Sequence, residues 1–487
     1  MTEAELSAFG KYVDSLDTPQ MKECMTVLLK ADTSHWEADK AVKAYYAELE
    51  GLDDMLWLSS DGVSVQADSL LSYLRREVPR NGLDTAAFFL PQIASDLDVV
   101  RNLTFDSVGV SINEVLPRLD YNLSKAYVRY TAGMRGGFVR PDKLFNRLDY
   151  KANGDGFARL FDYEVKSPDY KTALSRLQNA ATRHDYLQES KPDFWLYRVL
   201  QERLEKTTDK DARRKLAVNM ERCRWQMKHP DETECMILVN IPSLQLWAVC
   251  PDSVVNMRIC CGATTTKTPL LHSAISYMQV NPEWIIPQNI VKTDIARHAG
   301  DSAYFARHNY FVTQRATGDT LNPAEITSDQ LNAGVLRVGQ KGGAGNSLGR
   351  IVFRFPNNFS VYLHDTNNRG AFNSERRTLS HGCVRVQKPF ELACFLLPDA
   401  NDWKLDCLRI SMDMKPETDR GMRYLREHEE DPRPFRLMTY HDVSPRVPIY
   451  IVYYTAYPNP ESGVLETFPD LYGYDKAIGR EMKAFLP

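Results

Sequence analysis

The sequence has 487 residues, 43% apolar and 25% charged, with 60 Lys and Arg against 64 Asp and Glu. A chain of this length exceeds the size at which one apolar core keeps growing, so two or more domains are expected. The balanced charge, with no long block of one sign, argues against nucleic acid as a partner, and no apolar run approaches the roughly 20 residues of a membrane helix.

Residues 1–30 show no basic segment followed by an apolar stretch, so no signal peptide is visible; either the protein is cytoplasmic or a leader was removed. Residues 1–232 read as a mainly helical domain. Leu70, Leu71, Leu74 and Val78 mark an amphipathic helix, with Asp68 or Ser69 placed to cap it and Pro79 just beyond its end. Leu123, Ala126, Tyr127 and Tyr130 share one face of a second, punctuated by Gly133, Gly136 and Gly137. Leu196, Val199, Leu200 and Leu204 mark a third. The polar stretch 206–211 then turns into a helix running through Leu216 to Trp225.

Near residue 235 the period changes. Met236–Ile241, Leu244–Val249 and Met257–Cys261 are short β-favouring runs broken by Pro242-Ser243 and Pro251-Asp-Ser253, so residues 233–487 read as a strand-rich domain. Further strands are expected at Ile351–Phe355, Val361–Leu363, Val384–Val386 and Pro448–Tyr454, with a turn at Pro356-Asn-Asn358. The segment from about 288 to 340 is more polar, lacks a strand period and reads as an insertion of the kind that serves as a lid. The overall class is multidomain α+β. The nine cysteines, an odd number, leave at least one unpaired within a single chain. Most, Cys250 and Cys394 among them, sit in apolar runs where cysteine acts as a small hydrophobe.

Chemistry concentrates in Val361-Tyr-Leu-His364-Asp and Leu379-Ser-His-Gly-Cys383-Val-Arg-Val386. A thiolate is the nucleophilic form of cysteine, and a nearby imidazole helps to make it. His364 closes one expected strand and Cys383 opens another, so the two meet if those strands are neighbours. Gly382 allows close backbone approach, and the N–H groups around Gly382 and Cys383 are candidates to hold an oxyanion. A bare His-Gly-Cys triplet is weak evidence. A zinc site built on His364, His381 and Cys383 is a second reading, although no fourth ligand at usable spacing is evident.

The pattern of His364 followed by Ser380-His-Gly-Cys-Val-Arg385 resembles the signature of L,D-transpeptidases of the YkuD type, whose catalytic domain is a β-rich sandwich. The resemblance extends through Asn219-Met-Glu-Arg-Cys-Arg-Trp225, Thr266-Lys-Thr-Pro-Leu270, Asn281-Pro-Glu-Trp284, Asn346-Ser-Leu-Gly349, Val447–Ala456 and Asp470–Asp475 to the large periplasmic branch of that family. It implies a helical scaffold domain, a catalytic domain and a capping subdomain at about 288–340, to which Ala306-Arg-His-Asn-Tyr310 belongs. It also implies Cys383 as acylated nucleophile, His364 as base, the Asp365 carbonyl orienting the imidazole, and Gly382 in the oxyanion loop. Tyr362, Ser380, His381, Arg385 and Trp284 are then expected at the substrate, although for Trp284 packing is the favoured role.

The implied substrates are peptidoglycan stem peptides, a donor tetrapeptide and an amine acceptor, with a carbapenem-type β-lactam as inhibitor and no cofactor. The implied location is the periplasm of a Gram-negative cell. Residues 150–215 lack the Phe-Gln and Gly-Leu pattern of the peptidoglycan-binding module that large relatives carry. A non-catalytic wall-binding scaffold and a sortase-like cysteine enzyme are the competing classes. Presence of both His364 and Cys383 argues against the first, and the Ser-His-Gly-Cys pattern against the second.

Overall fold

The computed structural model describes residues 14–49, 54–59, 62–148, 159–231, 234–432 and 434–487. The expected domain boundary at 232/233, the first part of the segment read for a leader and the start of the 150–215 segment lie outside them. The N-terminal half is helical, organised around the 25-residue helix Ile112–Gly136, which is buried on nearly all sides. Leu123, Ala126, Tyr127 and Tyr130 all face the core, as their spacing predicts. Gly133 does not punctuate this helix: a Cβ there would lie 2.3 Å from the Phe138 ring, so the glycine admits that ring instead. Chain reversal falls to Gly137, at φ 84°.

The helix carrying Leu70 and Leu74 begins earlier than expected, at Val65. Its cap is Ser64, whose hydroxyl accepts from the Gln66 N–H at 3.2 Å. Asp68 and Ser69 lie inside it, Asp68 pairing with Arg101 at 2.5 Å. Pro79 sits within the last turn, where its missing N–H forgoes a single bond. Helices Trp195–Glu205 and Lys210–Arg224 follow as predicted, the second capped by Asp209.

The motif Asn219–Trp225 bolts the two halves together. Buried Glu221 accepts from the backbone N–H groups of Phe138 and Val139 at 2.6 and 2.8 Å, and from Trp225 and Arg224 at 3.2 Å each. Arg224, also buried, donates to the Asn81 carbonyl and to the Tyr197 hydroxyl. On the opposite side Asn219 bonds Thr455 and Arg222 pairs with Asp475 at 2.6 Å. One apolar core runs through both halves, and Phe485, near the C-terminus, stacks among Trp36, Phe88 and Phe138 of the helical part.

The C-terminal half is built on a nine-stranded sheet. Neighbour to neighbour it runs Thr378–Ser380, Ser253–Gly262, Val384–Val386, Leu363–His364, Ile351–Arg354, Leu271–Val280, Tyr440–Val452, Met236–Asn240 and Gln245–Cys250. The last strand pairs back onto Ser253–Gly262, from Gln245↔Arg258 to Cys250↔Ser253, so the sheet closes on itself. Ile259, Met278, Phe353, Leu363 and Val384 fill its interior. Cys250 is not a free apolar cysteine: it forms a disulfide with Cys235, across the mouth of the hairpin whose register sets Met236 opposite Val249. The strand Leu271–Val280, central in the sheet, went unread because Ser273, Ser276 and Gln279 dilute its alternation.

Between Val280 and Ile351, which are ladder partners, the chain leaves the sheet and builds a separate four-stranded one. Its strands are Trp284–Ile285, Tyr310–Gln314, Thr320–Leu321 and Leu336–Gln340, over a core that includes Ile286, Val291, Phe305, Val312 and Leu331. The insertion therefore has strands where no period was legible, and it begins before residue 288. No helix among the described residues is long and apolar enough to cross a membrane.

Candidate active site

The strand carrying His364 pairs in parallel with the one that follows Cys383, Leu363 opposite Val384 and His364 opposite Arg385. Pairing with Ile351–Arg354 on the other side sets Val352 opposite His364. One row on the outer face therefore reads Cys260, Arg385, His364, Val352 and Gln279. Side chains alternate along strands, so two residues back a second row holds Cys383, Tyr362, Arg354 and Tyr277. The Val384 N–H donates to the Tyr362 carbonyl at 3.1 Å, continuing the register to Cys383, and Arg354 lies over the Tyr362 ring at 4.1 Å. Expected strand adjacency thus brings His364 and Cys383 to diagonal positions on one face.

His364 is buried, and its Nδ1 donates to the Asp365 carbonyl at 2.5 Å, as the resemblance implied. The Asp365 carboxylate turns the other way, accepting from the Arg350 N–H and from Arg369, each at 2.9 Å. Gly349, at φ 64°, makes room for it, since a Cβ there would lie 2.4 Å from the carboxyl carbon. Gly349→Ala is expected to cost more than about 1 kcal/mol and to displace Asp365, read as a fall in Tm.

Cys383 is partly accessible at its surface, although its thiol is enclosed by protein. Its Sγ donates to the carbonyl of Ser360 at 3.9 Å, a residue held at φ 56° beside the Asn357 turn. Among the described residues no hydrogen bond joins thiol to imidazole. Burial pushes the thiol up, against the Tyr362 N–H and phenol and the Arg354 and Arg385 guanidiniums, which pull it down. Burial, followed by the charge of Arg385, brings His364 down to about 3, with the Asp365 carbonyl opposing. Both groups are therefore neutral at pH 7. Alkylation of Cys383 by iodoacetamide, followed by peptide mass mapping, is expected to rise with pH only above the ordinary thiol range of about 8.5. A plateau already reached at pH 6 would mean a resting thiolate–imidazolium pair instead.

The loop before the cysteine is held from within. Ser380 Oγ donates to the Cys383 carbonyl at 2.6 Å and accepts from the Gly382 N–H at 3.1 Å. The Gly382 N–H, expected at the oxyanion, is thus already committed. The Cys383 N–H, for which the described residues show no acceptor, is the better oxyanion donor. Thr266 and buried Thr268 clamp the loop from outside, donating to the carbonyls of Ser380 and Gly382 at 2.8 Å each. Both stand in the quoted Thr266–Leu270 motif, but nothing in the motif itself tells what they hold. Gly382 takes φ 118°, a region that favours glycine.

His381 is exposed at the loop tip and shows no contact with His364. Among the described residues no three His, Cys, Asp or Glu side chains gather at metal-binding distance, so the zinc reading has no built site. Trp284, from the inserted sheet, packs both on that sheet's core and on the cluster of Leu348, Val352 and Tyr362 against which Cys383 also packs. It therefore packs the inserted sheet onto the site. Arg354 was not foreseen; an isolated arginine in an apolar run carries no signal until its strand is paired.

Residues 236–403 match the family profile of the YkuD L,D-transpeptidase catalytic domain, and residues 40–204 that of a scaffold domain. A Haemophilus influenzae protein named "Putative L,D-transpeptidase" is 33% identical over 368 residues, covering 72% of this chain and 69% of that protein.

Proposed function

Since this chain belongs to the L,D-transpeptidase family, we propose that it cross-links peptidoglycan stem peptides through an acyl-enzyme on Cys383. The observation that carries the reading is the parallel pairing of the His364 strand with the strand after Cys383. In the first half-reaction Sγ attacks the carbonyl carbon of the third residue of a donor tetrapeptide. The thiol proton passes to His364, the C–N bond to the terminal D-Ala breaks, and His364 returns the proton to the departing amine. A thioester remains, its tetrahedral precursor held by the Cys383 N–H.

In the second half-reaction an amine of another stem peptide attacks the thioester and gives its proton to His364, and the thiol re-forms, leaving a 3-3 cross-link. Water in place of the amine gives carboxypeptidase action, and a D-amino acid gives exchange. Because both groups rest neutral, deprotonation accompanies attack, and the thiol must first turn from the Ser360 carbonyl; such bonds commonly tighten only with substrate bound. The carbonyl of a carbapenem β-lactam meets the same nucleophile and is expected to acylate it.

The proposed location is the periplasm. The Cys235–Cys250 disulfide supports it, since such bonds persist in oxidising compartments.

The test is intact-mass spectrometry after incubation with a disaccharide-tetrapeptide, comparing the parent with Cys383→Ala. A thioester adduct on the parent alone, with D-Ala release and a 3-3 dimer, is the expected result. Folded parent protein giving neither adduct nor D-Ala would overturn the reading.

A further inference from the structure

The sheet face that carries Cys383 also carries two cations that have, among the described residues, no counter-ion. Arg354 and Arg385 project from the strands on either side of the His364 strand, on the outer face that carries Tyr362 and Cys383. Arg354 lies over the Tyr362 ring at 4.1 Å. The Nε of each is buried without an acceptor, and among the described residues neither guanidinium forms an ion pair or donates a side-chain hydrogen bond. Other arginines of this half are committed: Arg369 to Asp365, Arg409 to Asp406, Arg377 to the carbonyls of Ile259, Ser374 and Leu244. Guanidinium N–H groups are strong donors, and a buried one left without an acceptor is unfavourable unless a ligand completes it.

We propose that Arg354, with Arg385, forms a carboxylate-binding subsite that positions the acyl donor, resting on the transpeptidase reading above. Stacking on the phenol fixes the plane of the Arg354 fork, so that its edge is presented for bidentate pairing with an anion. Arg354 shares its row with Tyr362 and Cys383, and Arg385 stands two residues from the nucleophile on the same face, so both flank the carbonyl that the thiol would attack. A donor tetrapeptide offers a carboxylate there in two ways. One is the terminal α-carboxylate of the departing D-residue, one peptide unit past the attacked carbon. The other is the side-chain carboxylate of the diamino acid that is attacked. In either case Arg354 selects donors through charge and acts as a positioning residue: it moves no proton.

The experiment measures steady-state D-Ala release by the parent, Arg354→Gln and Arg354→Lys. Three synthetic donors are used: the free tetrapeptide, its C-terminal carboxamide, followed as D-alanine amide, and the tetrapeptide amidated at the diamino-acid side chain. For the free donor Arg354→Gln is expected to raise KM about 10- to 100-fold with a smaller change in kcat, the size of a lost charge-assisted contact. Lys is expected to recover part of it. The amidated donor on which parent and Arg354→Gln have equal KM identifies which carboxylate is bound.

An unchanged KM for Arg354→Gln on every donor overturns the proposal. So does a fall in kcat alone that Lys does not restore, because that is what loss of Tyr362 packing would produce. If the parent releases D-Ala from none of the donors, the transpeptidase reading itself falls, and the subsite with it.

Discussion

His364→Gln is expected to slow acylation of Cys383 by about 10³-fold while leaving donor KM within a few-fold. General-base assistance is typically worth about 10² to 10⁴ in rate. Here it stands toward the upper part of that range, because burial raises the Cys383 thiol and leaves little thiolate to attack unaided. Glutamine retains the donor that the Asp365 carbonyl accepts, so ring placement is not what the substitution tests. The measurement is single-turnover appearance of the thioester by rapid-quench mass spectrometry. A loss under tenfold would mean that the thiol proton leaves by a route other than His364.

Glu221→Ala is expected to destabilise the whole chain by about 3 to 5 kcal/mol, the usual penalty for removing one partner of a buried ion pair. Its carboxylate gathers four donors, from Phe138, Val139, Trp225 and Arg224, and Arg224 would be left charged at zero exposure. Calorimetry should show Tm falling by about 3 to 5 °C, with both halves melting together since they share one core. Glu221→Gln is expected to cost less. Burial already pushes the Glu221 carboxyl up, so a neutral side chain is less penalised there, and its oxygen still serves the two backbone N–H groups and the indole. Independent melting of the two halves in the parent would contradict the bolting role.

Helices were legible wherever an apolar stripe met a core of its own, as along Leu123–Tyr130, because the 3.6-residue period survives when one face dominates. Their ends were less so: Ser64 caps a helix whose first turn is mostly polar, and nothing apolar points to it. Strands buried on the inner face, such as Met236–Asn240, read directly. Leu271–Val280 did not, since Ser273, Ser276 and Gln279 fall on both of its faces and interrupt the two-residue period. Cys383 and His364 could be picked out as candidates because loop chemistry and family pattern coincide at Ser380–Arg385. Arg354, Thr266 and Thr268 could not, because each acts across a strand pairing with a segment remote in sequence. The Cys235–Cys250 bond was hidden for the same reason: spacing alone does not tell a hairpin mouth from a pair of apolar cysteines.

Val280 and Ile351 face each other on one ladder rung, and the Asn281 N–H donates to the Arg350 carbonyl at 2.7 Å immediately beyond it. The inserted unit thus departs and returns through a single doorway of the sheet, and it carries its own core. Such an attachment makes it an exchangeable cassette. Descendants of this fold can lengthen, shorten or replace the inserted unit without disturbing any strand that holds His364 or Cys383, so one can diversify while the other stays the same.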